Sequence, residues 1–254
     1  MGRKDTETIV LGVIGDLHGE LYNLSKVLEH LRRVRLDGVL LTGDFASPRY
    51  DQLRWGGRPS TPILIQEIER VLELIQKLDI PAVWVPGNHD ELDLDLPGNC
   101  DRKVVEVADL RIFGIGGSGP GKFGFPYEWS DDELRELEVP ACEVILSHAP
   151  PARTPLDRMY HTQMHVGSEV LREIAEAHDG AFVCGHIHEG VGALKLGRSM
   201  CLNAGSLGDP YGSIQMGFLT FDRKRRCLAV RHENLLSGRS QEVRRASPDS
   251  EIPI

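Results

Sequence analysis

Short apolar runs alternate with amphipathic segments through the first half of the chain. Residues 8–15 (TIVLGVIG) are apolar and partly β-branched, as in a buried strand, and residues 38–43 and 82–85 repeat this pattern. Between the first two runs, a stripe at helical spacing is formed by Leu21, Leu24, Leu28 and Leu31. A second helix is expected to begin at Thr61, because a threonine followed by proline is typical of a helix start. Apolar strands separated by helices indicate a sheet covered on both faces.

The second half contains more strands and fewer helices. Candidate strands lie at residues 104–107, 110–115, 142–146, 181–184, 191–196, 199–202, 214–221 and 227–232. A capping box predicts a helix start at Ser130, and a further helix is predicted over residues 167–178. A helix-connected half followed by a strand-rich half predicts an α/β fold in which two sheets pack face to face with helices outside.

A single domain is expected over residues 1–236. The chain has 254 residues, of which 41% are hydrophobic, and this is enough to bury one large core. Neither a Pro/Ser-rich linker nor an internal repeat divides the sequence. Residues 237–254 are polar and contain proline, which predicts a mobile C-terminal tail.

Charge and cysteine content exclude several classes of protein. The 38 acidic and 29 basic residues give a formal net charge of −9, which argues against a dedicated binder of nucleic-acid backbones or anionic membranes. No apolar run approaches the roughly 20 residues that span a bilayer, and residues 1–7 lack the apolar core of a signal peptide, so we expect a soluble, cytoplasmic protein. Five cysteines without Cys-x-x-Cys spacing fit neither a disulfide framework nor a thiolate zinc site.

Five of the predicted strands end in short polar motifs, and these carry the candidate chemistry. The motifs are GDLHG at 15–19, GD at 43–44, GNHD at 87–90, SHAP at 147–150 and GHIH at 185–188. Loops at the carboxyl ends of strands in α/β sheets converge on one crevice, so these motifs are expected to meet there. The side chains they would bring together are Asp16, His18, Asp44, Asn88, His148, His186 and His188.

These side chains predict a site for two metal ions. Asp16 and His18 are two residues apart, as are His186 and His188, and in an extended segment this spacing directs both side chains to the same side. Two such pairs together with the remaining ligands exceed what one ion needs. A carboxylate bridging two ions roughly 3.5–4 Å apart is typical of two-metal hydrolytic sites. Imidazole and carboxylate ligands without thiolate favour Mn, Fe, Zn or Co, with manganese our first choice.

A dinuclear site would also supply the local positive charge that phosphate binding requires. Two divalent ions, two aspartates and one bridging hydroxide sum to about +1 if the histidines stay neutral. Metal binding lowers the pKa of a bound water toward roughly 7, so a metal-bridging hydroxide can serve as the nucleophile at neutral pH.

The ordered set GDLHG, GD, GNHD, SHAPP and GHIH resembles the calcineurin-like metallophosphoesterase superfamily, and the resemblance extends from Asp16 to Ser206. It implies a four-layer α/β/β/α sandwich, with two mixed β-sheets packed face to face and helices outside. It also implies that two ions are held by two sets of ligands and a bridge: Asp16, His18 and His188; Asn88, His148 and His186; and the bridging Asp44.

The same resemblance implies two catalytic residues beyond the metal ligands. His89 would stabilise the phosphoryl oxygens or protonate the leaving group, and Asp90 would orient its imidazole. The protein-phosphatase branch carries the longer motif GDxVDRG and the motif GNHE, whereas here Phe45 follows Asp44 and the third motif ends in Asp90. The sequence GHIHEG at 185–190 is similar to small bacterial and archaeal phosphodiesterase-like members.

We therefore predict a metal-dependent phosphoesterase that prefers diesters to monoesters. Its substrate would be a phosphorylated small molecule, with nucleotides among the candidates. Two alternatives are a non-catalytic metal-binding interaction module on the same fold and a metal-dependent nuclease, although nucleic acid is disfavoured as a partner by the net charge of −9. The sequence leaves the oligomeric state open.

Three loop segments each allow two interpretations. Residues 45–60 carry three arginines and form either a lid over the substrate or a plain exposed loop. In residues 116–129 aromatic side chains recur at every second position from 123, so they share one side if extended. They either pack against the sheet or a partner chain, or stack on a nucleoside. His161 and His165 lie in a surface loop or contact substrate.

Overall fold

A computed structural model of the protein describes residues 8–45, 61–121, 123–208 and 212–246. Its strands are β1 (Thr8–Ile14), β2 (Gly38–Leu41), β3 (Ala82–Trp84), β4 (Val104–Val107), β5 (Leu110–Ile115), β6 (Val144–Ser147), β7 (Ala181–Cys184), β8 (Gly192–Leu196), β9 (Ser199–Asn203), β10 (Gln215–Asp222), β11 (Cys227–Asn234) and β12 (Ser240–Arg244). The helices are α1 (Leu21–Leu31), α2 (Thr61–Gln76), α3 (Asp131–Arg135) and α4 (Glu169–Ala177), with a 3₁₀ turn at Pro155–Asp157.

The twelve strands form two sheets of six. The first sheet has the order β12-β11-β10-β1-β2-β3, in which β1, β2 and β3 are parallel and β10 is antiparallel to β1. The second has the order β4-β5-β6-β7-β9-β8, in which β5, β6, β7 and β9 are parallel and the two edge strands are antiparallel to their neighbours. Both sheets are therefore mixed, as the resemblance implied.

Apolar side chains on successive strand positions enter different layers of the core. In β2, Leu40 packs between the two sheets, whereas Val39 and Leu41 pack on the outer face against α1 and α2. In the second sheet Phe182 faces outward and packs in one cluster with Leu171 of α4. Because both faces of each sheet are covered, the central strands β1, β2, β3, β6 and β7 are apolar along almost their whole length, and the predicted four-layer sandwich is confirmed.

Local sequence signals account for the ends of the helices. Thr61, predicted as the cap of the second helix, is the first described residue of α2. The capping box at the start of α3 forms as predicted: the Ser130 hydroxyl accepts a hydrogen bond from the Glu133 N–H, and the Glu133 carboxylate accepts one from the Ser130 N–H. Ser168 caps α4 by accepting from the Leu171 N–H, so this helix begins two residues later than predicted.

The C-terminal segment corrects one prediction. Residues 240–244, expected to belong to a mobile tail that starts at 237, form β12 and pair in register with β11. Val243 also packs against the cluster between the sheets. The strand lies at a sheet edge, where most of its side chains are exposed and polar. It therefore lacks the apolar run from which a strand would be predicted. Residues 247–254 of the predicted tail lie outside the described residues.

Neither the helices nor the cysteines of the described residues suggest a further function. Within these ranges, every helix is too short or too polar to cross a membrane. All five cysteines are free thiols, and four of them are buried. Burial raises the pKa of Cys201 to about 12, so this thiol is a packing residue rather than a nucleophile.

Candidate metal centre

The polar motifs meet at one edge of the sandwich. Each lies at the carboxyl end of a strand or is separated from it by at most two residues: β1, β2 and β3 in the first sheet, and β6 and β7 in the second. The Asp44 carbonyl accepts the N–H of His18, and the His148 carbonyl accepts that of Gly185, so neighbouring loops are joined by backbone hydrogen bonds. The predicted convergence of the motifs is present in the structure.

Asp16, His18 and His188 form the first candidate ligand group. Their nearest ligand atoms all lie within 4.8 Å of one another. Nε2 of His18 is 3.2 Å from Nε2 of His188, and Nε2 of His188 is 3.0 Å from Oδ2 of Asp16. Three donor atoms that point at one spot could hold one cation.

Asp44, His148 and His186 form the second candidate group, also within 4.8 Å of one another. Oδ1 of Asn88 lies 2.9 Å from Nε2 of His148, which brings the predicted amide ligand to the same spot. Oδ2 of Asp44 is 3.5 Å from Nε2 of His148 and 3.6 Å from Nε2 of His18. The Asp44 carboxylate thus lies between the two groups, where a bridging ligand would be.

The protonation states suit cation binding. Burial alone would raise the pKa values of Asp16 and Asp44, but nearby imidazoles, His148 foremost, hold both below their usual range. Burial lowers the pKa of His186 to about 3 and also lowers that of His18. Both carboxylates are therefore ionised at neutral pH, while these two imidazoles are neutral, which is the form that coordinates metal.

The contact between His18 and His188 supports the fit of a cation to this site. Their Nε2 atoms face each other at 3.2 Å, and Nε2 of His188 also lies 3.0 Å from Oδ2 of Asp16. A single ring N–H cannot satisfy both contacts of His188, whereas a cation could be bound by all three atoms. Imidazole nitrogens together with carboxylate and amide oxygens suit divalent ions of the Mn, Fe, Zn or Co type.

Three residues of the site have an uncommon backbone conformation. His18, Asp44 and His186 have φ values of 45°, 50° and 63°, in the left-handed region that residues other than glycine seldom adopt. Each such conformation costs on the order of 1–3 kcal/mol, which the surrounding structure must offset. A Cβ at Gly87 would overlap the Asp44 carboxylate, which explains the glycine of the GNHD motif.

Two positioning residues, Thr42 and Asn203, were not identified from the sequence. The Thr42 hydroxyl donates to Oδ1 of Asp16 (2.9 Å), and its carbonyl accepts from Nδ1 of His148 (2.7 Å), which leaves Nε2 of that ring for a metal. Nδ2 of Asn203 donates to the carbonyls of Gly185 and Ile187 and so fixes the loop that carries His186 and His188. The available signal was their position: Thr42 precedes the GD motif, and Asn203 ends a strand at the same edge.

His89 and Asp90 lie beside the candidate ligands. The His89 N–H donates to Oδ1 of Asp44 (3.0 Å), and its ring centroid is 5.5 Å from that of His18. The buried Asp90 carboxylate accepts the N–H groups of Phe45 (3.0 Å) and Gly87 (2.8 Å). Asp90 therefore ties the loop after β2 to the loop after β3, a role that the sequence did not suggest.

The three ambiguous loops differ in outcome. Of the segment 45–60, the structure describes only Phe45, so its role as a lid stays a prediction. The aromatic side chains of 123–129 do not share a side: Tyr127 and Trp129 are buried, whereas Phe123 and Phe125 are exposed. The Phe125 ring lies 4.6 Å from that of His89. Nδ1 of His165 contacts the Asp157 carboxylate at 2.7 Å.

Comparison with known proteins identifies the family. Residues 9–190 match the family model described as calcineurin-like phosphoesterase. The chain therefore belongs to the calcineurin-like phosphoesterase family, as the ordered motifs implied, and is a phosphoric ester hydrolase by class.

Relatives with similar sequences include two with named activities. A probable glycerophosphodiester phosphodiesterase of Arcobacter nitrofigilis is 27% identical over 68% of this chain, and a probable cyclic nucleotide phosphodiesterase of Synechococcus is 25% identical over 64% of it. The matches cover 64% and 62% of those proteins, less than two thirds of their length. An uncharacterised protein of Methanocaldococcus jannaschii is 31% identical over 55% of this chain and 69% of its own length.

Solved structures resemble the fold. A dimetal phosphatase from Danio rerio superposes with a TM-score of 0.60 at 12% identity, covering 92% of this chain and 98% of that one. A protein of Thermus thermophilus gives a TM-score of 0.58 at 14% identity, over 89% of this chain and 99% of that one. At such low identity the likeness is one of fold.

Proposed function

We propose that the protein hydrolyses phosphodiesters of small molecules with the help of two divalent ions, manganese being the first choice. The observation that carries this proposal is the position of Asp44, whose Oδ2 lies 3.5 and 3.6 Å from imidazole nitrogens of the two separate ligand groups. A single carboxylate placed between two sets of donors is the arrangement that a pair of adjacent ions requires. When bound, the two ions would supply a water nucleophile of lowered pKa and positive charge for the phosphoryl oxygens.

The surrounding residues have separate tasks in this proposal. Asp16, His18 and His188 hold one ion, while Asn88, His148 and His186 hold the other. His89 assists the leaving group. This role is supported by the position of its ring, which lies next to that of His18 and is less deeply buried. Asp90 would orient the His89 imidazole, and this is supported by its two backbone hydrogen bonds, from Phe45 and Gly87, which hold the carboxylate in place beside the site.

A preference for diesters is supported by the relatives with named activities, both of which are probable phosphodiesterases. The substrate of this chain would accordingly be a small phosphodiester, with nucleotides among the candidates. The interaction-module alternative loses weight because the two candidate ligand groups, Asn88 and the ionised carboxylates are all in place.

The test compares bis(4-nitrophenyl) phosphate with 4-nitrophenyl phosphate in manganese-loaded protein. We expect both hydrolyses to require metal and the kcat/KM value to be higher for the diester. An Asp44→Asn variant, purified in parallel, shows whether the activity belongs to this site. A clear preference for the monoester would reverse the proposed specificity. If the Asp44→Asn variant kept both activities, the assignment of the active site would be refuted. Plasmid and single-stranded oligonucleotide in the same assay test the nuclease alternative.

A further inference from the structure

A cavity of about 660 Å³ borders the candidate metal centre at His188. Its other walls include Tyr160 and His161 from the loop after the 3₁₀ turn, Ser213 and Gln215 at the start of β10, and Arg239 before β12. We name this space the arm cavity. Since His188 is both a candidate metal ligand and a wall of the arm cavity, this space adjoins the place where the metals would hold a phosphate group.

The wall nearest to the metals is held in place by the metal-binding loop itself. The Tyr160 N–H donates to the carboxylate of Glu189, the residue after His188, at 3.1 Å. The loop that carries Tyr160 and His161 is therefore attached to the same segment that carries His188. The cavity volume falls within the roughly 300–1,000 Å³ typical of small-molecule sites.

Two walls of the arm cavity, Gln215 and His232, are polar and uncharged. Nε2 of His232 lies 2.7 Å from Oε1 of Gln215, and burial lowers the pKa of His232 to about 4. The ring is therefore neutral at pH 7, and because an amide oxygen can only accept, Nε2 carries the proton. This contact leaves the Gln215 amide nitrogen as a donor and Nδ1 of His232 as an acceptor.

The rim adds further hydrogen-bonding groups and one cation. Asn234 is another wall residue, and its Oδ1 accepts the N–H groups of Leu236 and Ser237. Its Nδ2 amide group therefore remains as a hydrogen-bond donor toward the cavity. The Ser213 hydroxyl lies in the same wall. Arg239, an exposed residue, adds a cation. Most of the remaining lining surface is apolar, and Tyr160 and His161 contribute aromatic rings. A lining that joins apolar surface and rings to a few hydrogen-bonding groups suits the flat, polar-edged base and the sugar of a nucleoside better than an aliphatic chain.

We propose that the arm cavity binds one ester arm of the substrate and that this arm is a polyhydroxylated or nucleoside group. The inference rests on the proposed function and narrows it, because a phosphate monoester has no second arm to place there. The phosphate would remain at the metal centre while Arg239, Ser213 and the two amides bind the arm.

The experiment uses two diesters with the same leaving group: thymidine 5′-(4-nitrophenyl phosphate) and methyl 4-nitrophenyl phosphate. Both release nitrophenolate, so the ratio of their kcat/KM values reports the contribution of the thymidine arm. For the manganese-loaded wild type we expect a ratio of about ten or more, as one or two additional hydrogen bonds would give. A ratio near one would overturn the arm cavity while leaving the proposed function intact, whereas hydrolysis of neither ester would overturn both.

Two variants locate the effect. Arg239→Ala removes the cation of the rim, and Ser213→Trp fills the space, so each is expected to lower the ratio severalfold. The matched controls are Arg244→Ala, an exposed arginine farther along β12, and Ser25→Trp, an exposed serine on α1; both should keep the wild-type ratio. If Ser213→Trp does not fold, Arg239→Ala alone decides. Equal losses on both esters in Arg239→Ala would refute the assignment.

Discussion

Nε2 of His18 and Nε2 of His188 face each other at 3.2 Å, although the two residues are 170 positions apart in the chain. The pKa of His18 is lowered, chiefly by burial, whereas the carboxylate of Asp16 raises that of His188 against the effect of burial. A divalent cation would coordinate both nitrogens and replace the proton of His188. Folding therefore builds a site whose cost is relieved when metal binds.

Manganese is accordingly expected to raise the thermal stability of the protein. A free metal concentration of one hundred times Kd stabilises a single site by about 2.7 kcal/mol, which for a domain of this size raises Tm by roughly 5–10 °C. The measurement is thermal unfolding in EDTA and in excess manganese. His188→Gln should show a smaller rise than the wild type, and His30→Gln, a partly exposed histidine on α1, should show the full rise. An equal rise in the wild type and His188→Gln would contradict the assignment of the first ligand group.

Asp44→Asn and His89→Ala should separate metal binding from catalysis. The asparagine can still accept the His89 N–H, which lies 3.0 Å from Oδ1 of Asp44, so the loop keeps its shape while the bridging charge is lost. We expect turnover of bis(4-nitrophenyl) phosphate to fall by orders of magnitude and bound manganese to fall with it.

His89→Ala is expected to lose about 10²- to 10⁴-fold in kcat, as for a general acid, and to keep nearly all of its metal. Metal content by plasma emission spectroscopy and kcat are measured on the same preparations. Equal loss of manganese in the two variants would contradict the separate roles of Asp44 and His89.

The layers and the convergence of the motifs could be predicted because they follow from local pattern. Strands that are apolar throughout must be covered on both faces, and the observed bounds of β4 and β5 are those predicted. A polar motif after each parallel strand places Asp16, Asp44 and His148 at one edge, since parallel strands end at the same edge.

What could not be predicted depends on contacts between distant segments. The polar strand β12 exists because β11 supplies its hydrogen-bond partners, which its own sequence does not signal. The aromatic residues of 123–129 fall on different sides because the N–H groups of Phe123, Gly124 and Phe125 all donate to the Glu128 carboxylate, so this segment is curled and not extended as the alternation assumed. Asn203 binds backbone carbonyl groups, which every residue has, so its partners cannot be recognised from residue types.

Asn203→Ala should destabilise the protein and weaken metal binding together. Asn203 is fully buried; its Nδ2 donates to three carbonyls, and its Oδ1 accepts the Gly205 N–H at 2.8 Å. Removing the amide leaves these buried groups unpaired, which we expect to cost about 3 kcal/mol in the free energy of unfolding. Urea unfolding in EDTA measures this loss, and calorimetric titration measures manganese affinity.

The matched control for Asn203 is Asn99→Ala. Asn99 is also buried, and its side chain bonds the Leu94 carbonyl and the Asp101 N–H, neither of which belongs to a ligand-bearing motif. This variant should be destabilised while keeping its affinity for manganese. If both variants lost affinity to the same degree, the effect of Asn203 would be a general consequence of instability rather than of the loop that it holds.

His232 should make the metal-free protein sensitive to acid. Its pKa is lowered by burial from 6.5 to about 4, so between these values the unfolded chain binds a proton that the folded chain does not. Stability therefore falls as pH falls from about 6.5 to 4, and each pH unit across that window costs up to about 1.4 kcal/mol.

His186 and His18 act in the same direction, so the contribution of His232 is found by comparing the wild type with a variant that lacks it. In His232→Gln we expect the loss of unfolding free energy between pH 7 and pH 4.5 to be smaller than in the wild type by about 2 kcal/mol, measured by urea unfolding in EDTA. His161→Gln, which removes a histidine from an exposed position, should follow the wild-type curve. Parallel curves for the wild type and His232→Gln would mean that His232 is as easily protonated in the folded chain as in the unfolded one, and this wall of the arm cavity would then carry a charge at mildly acidic pH.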